Sequence, residues 1–108
     1  MIQLINILEH FFLRNVKTKL VGLVFSSNQN YDLKKLGNGK GVRHLTVRNT
    51  GEVNIIIQDI FEVIPPGQAF TINSPLLVTN EKFALKFDNE SASENKQGVI
   101  RYLVDQEN

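Results

Sequence analysis

Between residues 42 and 104 apolar and polar positions alternate with a period of two, and turn-forming residues interrupt the alternation at short intervals. This pattern predicts an antiparallel β domain. In residues 42–49, Leu45 and Val47 share one face with Arg43, while His44, Thr46 and Arg48 share the other, as a strand with one buried side requires. Asn49-Thr50-Gly51 predicts a turn, because Asn closes Asx turns and Gly takes positive φ without strain. Val53, Ile55 and Ile57 then line one face of the next run, so the two runs are expected to form a hairpin with Gly51 at positive φ. Residues 61–64 extend the sheet, and Pro65-Pro66-Gly67 ends it, with Pro-Gly at the central positions of a type II turn. Residues 69–73 leave in the next strand.

The clearest alternation follows a short run at Leu76-Leu77-Val78: Phe83, Leu85 and Phe87 on one side, Ala84 and Lys86 on the other. Those three large side chains are expected in the core. In the last strand, residues 99–104, Val99 and Leu103 face one way and Ile100, Tyr102 and Val104 the other. A strand apolar on both faces is central in the domain or lies at a subunit contact, and Ile100, Tyr102 and Val104 are assigned to the contact. Upstream, residues 20–25 read as a buried strand interrupted by Gly22, and residues 26–41, SSNQNYDLKKLGNGKG, as a polar loop too poor in apolar residues to reach the core. Residues 88–97, DNESASENKQ, read as an exposed loop.

The chain opens differently. Residues 1–13, MIQLINILEHFFL, are apolar at nine of thirteen positions. A helical stripe and a strand face fit them almost equally, with a helix slightly favoured. The segment lacks the early basic region and small-residue cleavage site of a signal peptide, and it is shorter than the roughly 20 apolar residues that span a bilayer. It either completes the domain's own core or docks on a neighbour. Its apolar side chains point in too many directions for one covered face, so Ile2, Leu4, Ile5, Ile7, Leu8, Phe11, Phe12 and Leu13 are assigned to a subunit interface. The predicted organisation is therefore all-β: a hydrophobic arm over residues 1–15, then a single antiparallel β-sandwich of about seven or eight strands over residues 16–108.

The order of strand, Asn-Thr-Gly, strand, then Pro-Gly-Gln and an aromatic resembles a small β-sandwich of tailed-phage virion proteins. There, a strand of the kind HLTVRNTG precedes an NIII-type strand and a turn such as IPPGQAF. The resemblance covers residues 42–87. It implies a structural role on a virus particle, as a head auxiliary or decoration protein or a tail-proximal component, made in the bacterial host cytoplasm and carrying no catalytic residue.

Composition changes this picture little. A chain of 108 residues buries enough surface to fold without a metal or disulfide staple, and with no cysteine it has neither a thiolate nucleophile nor a Cys-based zinc site. The net charge is +1, but residues 1–50 carry +6 and residues 51–108 carry −5. Strands of opposite sign lying side by side, or subunits attracting one another, explain this better than a nucleic-acid arm. Lys17, Lys19, Lys34, Lys35, Lys40, Arg43 and Arg48 have only Tyr31 and Phe25 among them as stacking aromatics, so nucleic acid is not an expected partner.

Candidate chemistry is sparse. His10 and His44 are the only histidines, and neither sits in a pattern that assembles a triad. His44 reads as part of a solvated strand face. The tract Gly37-Asn38-Gly39-Lys40-Gly41 lacks the glycine spacing, the Ser or Thr and the following helix of a phosphate-binding loop. Asp88, Glu90 and Glu94 lack the glycine and closing glutamate of a calcium loop. No enzyme activity, cofactor or metal is expected. The expected partners are further copies of the chain, as a trimer, and other virion proteins, with no membrane. The competing reading, a soluble ligand- or carbohydrate-binding β-sandwich, would call for exposed aromatics, and the chain has no Trp and two Tyr.

Overall fold

Two nine-residue strands set the frame. In the computed structural model, which describes residues 17–89 and 94–106, β1 (Lys17–Phe25) pairs with β8 (Gly98–Gln106) along its full length, from Lys17 opposite Gln106 to Phe25 opposite Gly98. Between them lie β2 (Gln29–Tyr31), the one-turn helix α1 (Leu33–Leu36), β3 (Arg43–Asn49), β4 (Ile55–Ile57), β5 (Glu62–Ile64), β6 (Ala69–Thr71) and β7 (Phe83–Phe87). They form two four-stranded antiparallel sheets, β1-β8-β3-β6 and β2-β7-β4-β5. The expected β-sandwich is the observed fold.

The alternation explains the core. Leu45 and Val47 of β3 and Ile100, Tyr102 and Val104 of β8 are buried from the first sheet, while Ile55 and Ile57 of β4 and Phe83, Leu85 and Phe87 of β7 are buried from the second. Each such side chain contributes roughly 1.5–3 kcal/mol when fully withdrawn from water. Phe25 closes one end, its ring centroid 5.8 Å from that of Phe87 and 6.3 Å, nearly edge-on, from that of Tyr31. Gly98 is required beneath it, because a Cβ there would strike both the Phe25 ring and Ile55.

The predicted β3–β4 hairpin does not form: β3 belongs to the first sheet and β4 to the second. The residues after Asn49 carry the chain across the sandwich. Buried Asn49 organises the crossing, its Nδ2 donating to the Val53 carbonyl at 2.7 Å and the Ile64 carbonyl at 2.9 Å, and its Oδ1 accepting from the Gly51 amide at 3.0 Å. The Asx turn is thus present. Gly51, however, is not among the positive-φ residues; glycine is needed because a Cβ would press on the Asn95 carbonyl and the Gln97 amide. Pro65-Pro66-Gly67 does form the predicted turn, with Gly67 at φ 80° and the Gln68 amide donating to the Pro65 carbonyl at 3.0 Å, and it too leads from one sheet to the other.

Three further expectations are corrected. The segment between β1 and β3 is not simply a loop, since β2 pairs with β7 and α1 brings Leu33 into the core with no exposed surface. Asp32 caps that turn by accepting from the Lys35 amide at 3.0 Å. β1 is an edge strand rather than a buried one, with Leu20 and Val24 exposed. The alternation in β3 is broken by a bulge: Arg43 lies opposite Leu103 and Thr46 opposite Arg101, so two residues of β3, His44 and Leu45, face the single Tyr102 of β8, and His44 takes a φ of 51°.

Candidate interaction surface

The predicted contact set on the last strand is in the wrong place. Ile100, Tyr102 and Val104 point into the sandwich and are at most 4% exposed, because the second sheet lies on that side of β8. The outer face carries the other set, Val99, Arg101, Leu103 and Asp105. Residues Ile2, Leu4, Ile5, Ile7, Leu8, Phe11, Phe12 and Leu13 of the predicted interface fall outside the described residues.

The strand register builds the outer face row by row. Leu20 of β1, Leu103 of β8 and Arg43 of β3 form one row; Gly22, Arg101, Thr46 and Thr71 the next; Val24, Val99, Arg48 and Ala69 the third. Strand faces turned to water are usually polar. Here Leu20 is 72% and Val24 65% exposed, with half-buried Leu103 and Val99 beside them. One side of the face is therefore aliphatic and the other cationic or hydroxylic. The run of residues 20–25 hid this surface in the sequence, because its alternate members were read as buried on both sides.

At one border of the face Arg43 and Asp105 form an ion pair, with Nη2 to Oδ2 at 2.8 Å and Nε 3.0 Å from both carboxylate oxygens. The Arg43 Nη1 also donates to the Pro75 carbonyl, tying the segment after β6 to the end of β8. His44 Nδ1 lies 3.1 Å from Asn73 Oδ1, a local contact between polar neighbours.

Among the described residues the other candidate features do not gather into a reactive site. The amides of Gly37, Asn38 and Gly39 donate to the α1 carbonyls of Leu33, Lys35 and Lys34, and that of Lys40 to the Gly37 carbonyl, which leaves none of these four aimed at a phosphate. Glu52, Asp88 and Glu94 border a shallow depression at one end of the sandwich, and among the described residues no group of three or more His, Asp or Glu side chains is placed to hold a metal ion. A second depression of about 300 Å³ opens between β5 and β6, lined by Val63, Ile64, Pro65 and Phe70 with Glu62 and Gln68. Near it the β4–β5 turn projects Phe61, 86% exposed at a φ of 54°. No helix among the described residues is long and apolar enough to cross a membrane. Comparison with family models, with curated proteins and with solved structures finds no match to this chain.

Proposed function

We propose that the chain is a structural, non-enzymatic subunit of a tailed-phage virion, a head auxiliary or decoration protein or a tail-proximal component, that works by contact between subunits. The observation that carries this reading is the aliphatic row of Leu20 and Val24, exposed beside Val99 and Leu103 among the described residues, on the strand that follows the largely apolar segment of residues 1–13. A chain with that much apolar surface at one edge calls for a partner to cover it. The resemblance of residues 42–87 to virion β-sandwiches supplies the setting, and further copies of the chain, in a trimer, together with other virion proteins are the partners. Peptide mass spectrometry on purified particles produced from the genome that encodes the chain tests this. The chain is expected in stoichiometric amount with the other structural proteins, and its absence from intact particles overturns the reading.

A second reading, a soluble ligand- or carbohydrate-binding module, draws on the depression between β5 and β6 with Phe70 in its wall. A shift in melting temperature with a panel of soluble glycans would favour it over the structural role.

A further inference from the structure

We propose that the N-terminal segment, residues 1–16, of one copy of the chain covers the outer face of β1 and β8 on a second copy, seating a large side chain over Gly22 between Leu20 and Val24. The inference rests on the reading of the chain as a self-assembling subunit and names the surface through which it assembles.

The face has the shape of a receptor for such a side chain. Leu20, Gly22 and Val24 succeed one another along β1, with Leu103, Arg101 and Val99 beside them on β8. A Cβ added to Gly22 would meet only the Arg101 Cγ, at 3.7 Å. The glycine therefore leaves a notch, framed at its two ends by exposed aliphatic side chains and along one side by the stem of Arg101. Lys17 and Lys19 lie on the opposite face of β1, where they guard its edge against strand addition, so contact is directed to the face.

The chemistry of residues 1–16 fits that notch. Phe11 and Phe12 are the bulkiest apolar residues of the segment, and Glu9, its only acid, stands two positions before them. Among the described residues the ion pair on this face joins Arg43 to Asp105, and Arg101 is not part of it. A carboxylate beside an aromatic thus complements a guanidinium beside a notch. Reach is sufficient: sixteen residues span about 24 Å as a helix and at most about 55 Å extended, against about 30 Å for a nine-residue strand.

The direction of the chain selects the neighbour over the chain's own face. Lys17 is paired with Gln106 at the last rung of the β1–β8 ladder, so the chain enters β1 from beyond the sheet. Folding back onto its own outer face would take a reversal of the chain just before Lys17. Reaching a second copy needs no reversal, and cyclic exchange satisfies every segment and every face at once.

Light scattering on the full chain and a Leu20→Glu/Val24→Glu variant tests the surface, with circular dichroism to establish that the variant stays folded. The full chain is expected at a multiple of 12.3 kDa, and the variant at the mass of a single chain. An oligomer that persists in the folded variant overturns the assignment of this face while leaving self-assembly intact, whereas a full-length monomer at micromolar concentration overturns both. Thiol pairing supplies a measurement independent of the variant's folding, because the chain contains no cysteine. Mild oxidation of mixed Phe12→Cys and Leu20→Cys chains is expected to yield a disulfide-linked pair of the two kinds. A Phe12→Cys/Leu20→Cys double variant that closes the disulfide within one chain, or a mixture that forms no cross-link, overturns the proposal.

Discussion

Arg43 at the start of β3 and Asp105 near the end of β8 meet in a three-contact ion pair, 2.8–3.0 Å apart, with side chains only 18% and 12% exposed. The pair is diagonal, since Arg43 lies opposite Leu103, and it sits just before the bulge at His44. Partial burial makes it worth more than a surface pair, where solvent and side-chain entropy erase most of the gain. Arg43→Ala or Asp105→Ala is expected to lower stability by about 1–3 kcal/mol, seen as a lower urea midpoint at unchanged slope. The double variant should cost less than the sum of the two single ones. Strict additivity would show that the two groups do not stabilise each other.

Asn49 holds two of the crossings between the sheets, the one from β3 to β4 and the one from β5 to β6. Its side chain bonds to Val53, Ile64 and Gly51, its amide donates to the Gln68 carbonyl at 2.9 Å, and its carbonyl accepts from the Gly67 amide at 3.0 Å. Asn49→Ala leaves the buried partners of its side chain without it, at an expected cost of about 3 kcal/mol. Asn49→Asp should cost at least as much, because it turns a carboxylate oxygen toward carbonyls that need a donor. Equal urea midpoints for Asn49→Asp and the wild type would contradict this geometry.

Gly51 is constrained from outside its own turn. The Thr50 amide donates to the Gln97 carbonyl at 3.1 Å and the Glu52 amide to the Asn95 carbonyl at 2.7 Å, so residues 95–97 run directly over the glycine. Gly51→Ala and Gly51→Val are both expected to destabilise, the valine more, by well over the ~1 kcal/mol of an ordinary glycine site. A thermal melt of Gly51→Ala at the wild-type temperature would remove the close approach as the reason for glycine here.

How far the sequence carried depends on which forces act locally. Period-two alternation is a local signal, so the inward set Phe83, Leu85 and Phe87 was legible, and so was the Pro66-Gly67 turn, whose geometry two residues impose by themselves. The partner of each strand was not legible. Asn49-Thr50-Gly51 makes a turn whether the chain returns in the same sheet or crosses to the other, and only the burial of Asn49 against Val53 and Ile64 distinguishes them. For β8, apolar residues on both sides left open which side is inward, and the answer came from the sheet that packs on it. Leu33 was hidden because a four-residue helix with leucines only at its two ends is too short to generate a periodicity. The outer face was hidden because Leu20 and Val24 look like core residues in any scale of hydrophobicity.

The last prediction concerns Tyr31 and Tyr102, the only tyrosines in the chain. Burial pushes both phenols above their ordinary value of 10.0, and for Tyr31 the charge of an ionised Tyr102 adds to the rise. The folded protein therefore keeps its phenolic protons at pH values where the unfolded chain has released them. Between the ordinary and the raised pKa the folded state binds more protons, so stability falls as pH rises. The contribution is present in full below about pH 10 and is lost as the pH climbs through the folded values. Ultraviolet titration of the phenolate band should show both tyrosines ionising above 10 in the native protein and at about 10 in concentrated urea. Tyr102→Phe should lower the midpoint of Tyr31, because the second phenolate charge is gone. A native tyrosine that titrates at about 10 would contradict the burial of its ring.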